Sequence, residues 1–189
     1  MRPVINSLRV RGFSGKDQRG FTLIEVLVVI ALTGVLVTLG AAAFRHYWFV
    51  KEFESSQGEL VAHLRRLQQQ TVAETDPVVF GVRFRPSEAG EYRVIKYDPE
   101  NPLPSACKGR EVVDFQGSVE FTSVDFAPAP ASLVNDCNTA GVTAATDELV
   151  FFFARGNATG GDITLESEQL SGRLRSVSVN AVTGRVDGL

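Results

Sequence analysis

Histidine, cysteine and tryptophan are scarce in this chain of 189 residues, with two, two and one copies. His46 and His63 lie 17 positions apart, and no metal-ligand spacing joins them. Neither has a nucleophile beside it in a recognisable motif. Cys-x-x-Cys, a Walker-type phosphate loop and a Gly-x-Gly-x-x-Gly opening a helix are all missing, so no nucleotide, metal or other cofactor is expected. There is also no basic excess, since the formal net charge is −3. That balance argues against nonspecific nucleic-acid binding as the main task.

One stretch lacks almost every polar group. Between Phe21 and Phe44 there is no Lys, Arg, His or proline, and the single charge is Glu25. These 24 residues make a helix about 36 Å long, enough to cross a hydrocarbon core of roughly 30 Å. A carboxylate within such a span costs roughly 2.5–3.5 kcal/mol and calls for a partner. Cleavage after Gly20 would supply one, because Phe21 then carries a free α-amine, largely protonated near neutral pH. Amine and carboxylate then sit four residues apart, on one face of a helix. The Glu25 of a neighbouring subunit is then the natural partner of that amine. A secretory signal has a shorter apolar run with its cleavage site after it, the reverse of this order. An ordinary membrane anchor fits the length but leaves the placement of Glu25 unexplained.

The run Arg19-Gly20-Phe21-Thr22-Leu23-Ile24-Glu25 resembles the processing site of type IV prepilins and of type II secretion pseudopilins. The resemblance implies cleavage at Gly20, N-methylation of Phe21 and an assembly role for Glu25. It also implies the partners: prepilin peptidase, membrane lipid before assembly, an inner-membrane assembly platform, and other pilins or pseudopilins through the helix. The leader Met1–Gly20 carries Arg2, Arg9, Arg11, Lys16 and Arg19 against Asp17, a charge of +4. With the whole chain at −3, the remainder stands at −7. A basic flank before the span holds the N-terminus in the cytoplasm and sends the rest across the bacterial inner membrane.

Past Phe44, Arg45-His46-Tyr47-Trp48-Phe49 reads as an interfacial belt of aromatic and cationic side chains. Val50, Phe53, Leu60, Val61, Leu64, Leu67 and Val72 then form a helical apolar stripe, with Gln57 and Thr71 as polar interruptions. The helix is expected to run from Phe21 to about Glu74, ahead of Pro77. Beyond it the apolar period becomes two. Strands are expected at Val78–Phe84, Glu91–Asp98, Glu111–Phe115, Val119–Phe126, Glu148–Phe153, Asp162–Leu165, Leu174–Asn180 and the short Arg185-Val186. Gln116-Gly117-Ser118 is the turn between two of them, Ala127–Asp147 an irregular loop, and Glu148–Phe153 the candidate central strand. The chain therefore divides into a leader (1–20), an apolar helix (21–44), its amphipathic continuation (45–76) and a β-rich head (77–189).

Phe151–Leu165, Gly172-Arg173-Leu174-Arg175 and Thr183-Gly184-Arg185-Val186 are similar to the closing motifs of the GspH/FimT family of minor pilins and pseudopilins. The fold this implies is α+β: a long N-terminal helix packed on a β-sandwich-like, mainly antiparallel head. In some FimT-like pilins a Gly-Arg-x-Arg motif helps to capture DNA, which makes Arg173, Arg175 and Arg185 candidate phosphate clamps. The simpler reading puts Arg173 and Arg175 at the polar rim of a strand whose Val177 and Val179 enter the core. Cys107 and Cys137 fall in loop-like sequence on the oxidising side of the membrane, either bridged or as two thiols. Asp98-Pro99-Glu100-Asn101 and Asn135-Asp136 offer oxygens of the kind calcium takes, although polar turns have the same composition. Asn157-Ala158-Thr159 fits a glycosylation sequon and, equally, a turn.

Taken together, these readings describe a low-abundance structural subunit of a type IV pilus or a type II secretion pseudopilus, near the filament tip. A DNA-binding pilin is the alternative, and an enzyme on a membrane anchor ranks last.

Overall fold

A computed structural model describes residues 21–74, 77–102, 105–115, 118–138, 142 and 147–189. The leader with Gly20, the Thr75-Asp76 step and the Gln116-Gly117 turn lie outside the described residues. The chain divides into two units at Phe44/Arg45.

Helix α1 covers Leu23–Ala73. Its start has a local cause. The Thr22 hydroxyl accepts the Glu25 N–H at 3.3 Å, and the Thr22 carbonyl accepts it at 3.1 Å. Thr22 thus acts as the N-cap, and Glu25 takes the third helical position of a Thr-x-x-Glu box. This corrects the expected start at Phe21: Phe21 and Thr22 precede the helix, so the Phe21 nitrogen and Glu25 are not on a shared helical face. Through the first unit the helix is apolar and exposed, long and apolar enough to cross a membrane. Its two internal hydroxyls are satisfied within the helix, Thr33 donating to the Val29 carbonyl (2.9 Å) and Thr38 to that of Val35 (2.8 Å). Lipid offers no water to do this.

In the second unit α1 carries the amphipathic stripe. Phe53, Leu60, Val61, Leu64 and Leu67 are buried, while Val50 is half-buried. Val72, expected in the stripe, is 53% exposed. The two polar interruptions, Gln57 and Thr71, are themselves buried. Thr71 donates to the Leu67 carbonyl (2.9 Å), so it leaves no hydroxyl unpaired in the core.

Among the described residues, eight strands form two antiparallel sheets. The first has the order β3 (Cys107–Asp114), β2 (Glu91–Tyr97), β1 (Val79–Phe84), β5 (Glu148–Phe152). The second runs β4 (Val119–Phe126), β6 (Gly161–Ser167), β7 (Leu174–Val179), β8 (Val186–Gly188). The chain makes a meander through β1–β3, crosses to β4, returns to β5 beside β1, and finishes in the second sheet.

One core joins α1 to both inner faces: Phe80, Val82 and Phe84 from β1, Ile163 and Leu165 from β6, Val177 and Val179 from β7. A second core lies on the opposite face of the first sheet and contains Ile95, Leu133, Val142, Leu149 and Phe151. Gly81 belongs to this face because a Cβ there would strike the Phe151 ring. Cys107 and Cys137 are bridged within the second core, their Cα atoms 5.0 Å apart.

Three expectations need correction here. Cys107 opens β3 rather than lying in a loop, and β3 begins four residues before the expected Glu111. The described part of Ala127–Asp147 contains a short helix, α2 (Ala131–Asp136), with Cys137 at its C-cap. Strand β5 ends the sheet order rather than occupying its centre. Its dense apolar run reports burial on two faces: Val150 and Phe152 enter the main core, Leu149 and Phe151 the second.

Candidate functional site

Two groups of residues carry the functional reading, one in each unit. In the first, Glu25 is the only charge on the exposed apolar helix. Among the described residues no cation pairs with it. The Thr22 cap fixes the backbone at Glu25, so a carboxylate sits one turn inside the positive end of the helix dipole.

The second group gathers the closing motifs against α1. Gln57 donates to the carbonyls of Ser176 (2.9 Å) and Leu189 (3.0 Å), while Arg65 reaches the Val186 carbonyl through Nε (2.9 Å) and Nη2 (2.7 Å). Gln68 donates to the Thr183 carbonyl at 2.9 Å. These three side chains, spaced along one flank of α1, bond main-chain carbonyls of β7, β8 and the turn between them. The turn is tight: the Asn180 Oδ1 accepts the N–H groups of Val182 and Thr183, each at 3.0 Å. Gly184 then adopts φ +61°, where a Cβ would meet the Gly156 carbonyl oxygen and the Gln68 amide. Thus Gly156 and the Thr183-Gly184 step, far apart in sequence, meet at Gln68 of the helix.

The three candidate arginines are separated in their roles. Arg175 donates to Gln57 Oε1 (2.8 Å) and Glu54 Oε1 (3.1 Å), with its guanidinium 5.9 Å from the Phe53 ring centre. The Glu54 carboxyl is held below its usual range chiefly by the hydrogen bond from Lys51, with a smaller contribution from Arg175. Arg185 pairs with Asp187 at 2.9 Å. Arg173 is exposed, and follows Gly172, whose φ of +79° makes the turn into β7. Two of the three already hold carboxylates: Arg175 holds Glu54 and Arg185 holds Asp187.

The remaining candidates make hydrogen bonds within the head. Asp98 accepts the Glu100 N–H (3.1 Å) and the Asn101 side-chain amide (2.6 Å), an Asx-type turn. Asp136 accepts the Tyr97 hydroxyl at 2.8 Å. Thr159 of the sequon is buried, taking the Phe151 N–H at 2.8 Å. Among the described residues no three His, Cys, Asp or Glu side chains are grouped to hold a metal.

Sequence reasoning missed two clusters. Arg85 grips the buried Asp147 through Nε (2.6 Å) and Nη2 (3.1 Å), fixing the approach to β5. That hydrogen bond holds the Arg85 guanidinium above its usual range. His63 Nδ1 lies 2.8 Å from the Tyr92 hydroxyl in an open cleft lined also by Glu59, Arg66 and Glu111. Burial pushes the His63 imidazole down and the Tyr92 phenol up. In the sequence these appear only as isolated polar residues in loops, strands and a helix, with nothing to mark which pairs meet.

Comparison with known proteins adds one sequence match and a weak fold likeness. The family model for the prokaryotic N-terminal methylation motif matches residues 15–41. The minor pseudopilin EpsH of the type 2 secretion system of Vibrio cholerae is similar at TM-score 0.48 and 13% identity, over 72% of this chain and 94% of that one. The type IV minor pilin FimU of Pseudomonas aeruginosa is similar at TM-score 0.46 and 15% identity, over 74% and 89%. No curated protein matches the chain in sequence.

Proposed function

We infer that this chain is a minor pilin or pseudopilin, a structural subunit that enters a type IV-type filament through its apolar N-terminal helix. The observation that carries this reading is the methylation motif at residues 15–41 with Glu25 as the single charge of the span that follows. Prepilin peptidase would cut after Gly20, leaving Phe21 to be methylated. Because Phe21 and Thr22 precede the helix, the new amine is free to turn outward toward the Glu25 of another subunit. The head stands outside the inner membrane, where an oxidising compartment maintains the Cys107–Cys137 bridge. Its position near the filament tip is part of the same proposal, as is assembly on an inner-membrane platform.

The hydrogen bonds of Arg175 and Arg185 count against a DNA-capture reading, since a phosphate would have to displace Glu54, Gln57 and Asp187. The motif serves pilus and secretion machines alike, so the proposal covers both.

Mass spectrometry of the protein from its native host is expected to find a chain starting at methylated Phe21. Glu25→Ala is expected to leave the protein in the membrane but outside filaments. An intact chain from Met1 that is indifferent to this substitution would overturn the reading.

A further inference from the structure

Strand β3 ends the first sheet and pairs with β2 alone, and its outer edge is protected over only part of its length. Near its start lie a register shift opposite Val94 and Ile95 and the exposed cations Lys108 and Arg110, devices that keep sheet edges from pairing with other chains. The later half has neither bulge nor cation. Phe115 donates its N–H to the Gly90 carbonyl (2.8 Å), so its backbone faces β2. Backbone groups alternate along a strand, so Val113 faces β2 as well, while Val112 and Asp114 turn their N–H and C=O outward. Among the described residues nothing bonds these outward groups, and the Val112 side chain is exposed. Beside this same half, between β3 and α1, opens a cleft of about 350 Å³. Leu60, Tyr92 and Phe115 form its apolar side, with the two aromatic rings 5.5 Å apart, and Glu59, Glu111 and Asp114 form its acidic side. Among the described residues none of these carboxylates makes an ion pair; Glu59 accepts only the Ser55 hydroxyl, at 3.3 Å. Arg66 is the one cation among the described lining residues, and burial lowers the His63 pKa, so the imidazole adds no charge at neutral pH.

We propose that the head takes an extended basic peptide of another protein, which pairs with β3 at Val112 and Asp114 and seats a lysine or arginine in the cleft. Main-chain bonds to an open edge supply affinity whatever the sequence, and the adjoining cleft selects a side chain. Alternate side chains of an added strand point to the same face as Glu111 and Val113, which line the cleft. Charge names the occupant: three carboxylates against one guanidinium leave an excess of two negative charges, which an incoming cation reduces. The stem of a lysine or arginine lies along Leu60 and Val113, and its charged head meets the carboxylates beside the Tyr92 and Phe115 rings. One strand fills the edge, so binding stops at one peptide per head. The site belongs to the head alone, and stands whether or not the apolar helix enters a filament.

The test uses the full chain in detergent micelles and a labelled synthetic peptide, acetyl-Thr-Val-Thr-Lys-Thr-Val-Thr-amide, with versions carrying Arg or Glu in place of Lys. Fluorescence anisotropy is expected to show saturable binding of the Lys and Arg peptides, and binding weaker by about tenfold or more for the Glu peptide. Hydrogen exchange should slow at the Val112 and Asp114 amides when the Lys peptide is bound. Methylating the peptide's backbone nitrogens, which removes its donors and keeps its side chains, should abolish binding. Glu59→Gln with Glu111→Gln, both at exposed positions, should weaken the Lys peptide severalfold and leave the melting temperature unchanged. Val112→Pro removes an outward N–H without removing a bond to β2, and should prevent binding. The proposal is overturned if the Glu peptide binds as well as the Lys peptide, or if binding leaves Val112 and Asp114 unprotected. It is overturned equally if neither basic peptide binds at about 1 mM. Protection of these amides that rises with the concentration of the chain alone would put a second copy on the edge, and would overturn the choice of occupant.

Discussion

Removing the cystine tests how the second core is held. The bridge joins Cys107 at the start of β3 to Cys137 at the C-cap of α2, across a separation of 30 residues. In the chain-entropy model, closing a loop of that size restricts the unfolded state by about 3–4 kcal/mol. Both sulfurs belong to the core formed by Ile95, Leu133, Val142, Leu149 and Phe151. Helix α2 has only six residues and no side-chain cap, too short to persist unless docked. Cys107→Ser with Cys137→Ser should therefore destabilise the head by about 3 kcal/mol. For a unit of this size that lowers the melting temperature by roughly 6–12 °C. The assay is thermal unfolding of the full chain in micelles, followed by near-ultraviolet circular dichroism so that the detergent-held helix does not mask the head. Reductant should move the parent protein to the position of the double variant and leave the variant unmoved. A shift below about 1 kcal/mol, or a reductant effect persisting in the variant, would refute the account.

The other predictions concern single residues. Gly184→Ala places a Cβ against the Gly156 carbonyl at a positive φ, and should cost about 1–3 kcal/mol in chemical denaturation. Arg175→Ala should destabilise the head measurably because the bonds from Arg175 to Gln57 and Glu54 of α1 are lost, whereas Arg173→Ala, at an exposed position, should stay within about 0.5 kcal/mol. Burial lowers the His63 pKa in the folded state, so the unfolded chain takes up the proton first. Stability linked to His63 is full above the unfolded value near 6.5 and declines as pH falls toward the folded one. Denaturation midpoints across that range should fall with pH in the parent and fall less in His63→Gln.

The amphipathic second half of α1, most strand positions and the apolar span with its single acid were legible in the sequence, because periodicity and run length report local burial directly. Phe53, Leu60, Val61, Leu64 and Leu67 sit where a 3.6-residue repeat puts them. The start of the helix was misplaced by two residues because the Thr22 hydroxyl competes for the first turn, an effect seen as a cap only when its geometry is known. An apolar run such as that of β5 states how many faces are covered but not what covers them. Here α2 and the cystine do so, although the strand ends its sheet.

What the sequence alone determined was the class of each segment: a membrane-compatible helix with one acid, an amphipathic continuation, and a succession of short strands. Tertiary structure alone decided which residues act together. It set Arg175 against Gln57 and Glu54 of α1, and it set glutamate opposite glutamate in one sheet and lysine opposite lysine in the other. The reason is physical: burial patterns repeat along the chain and can be read there, while strand register and side-chain hydrogen bonds join residues as far as 132 positions apart and leave no local trace.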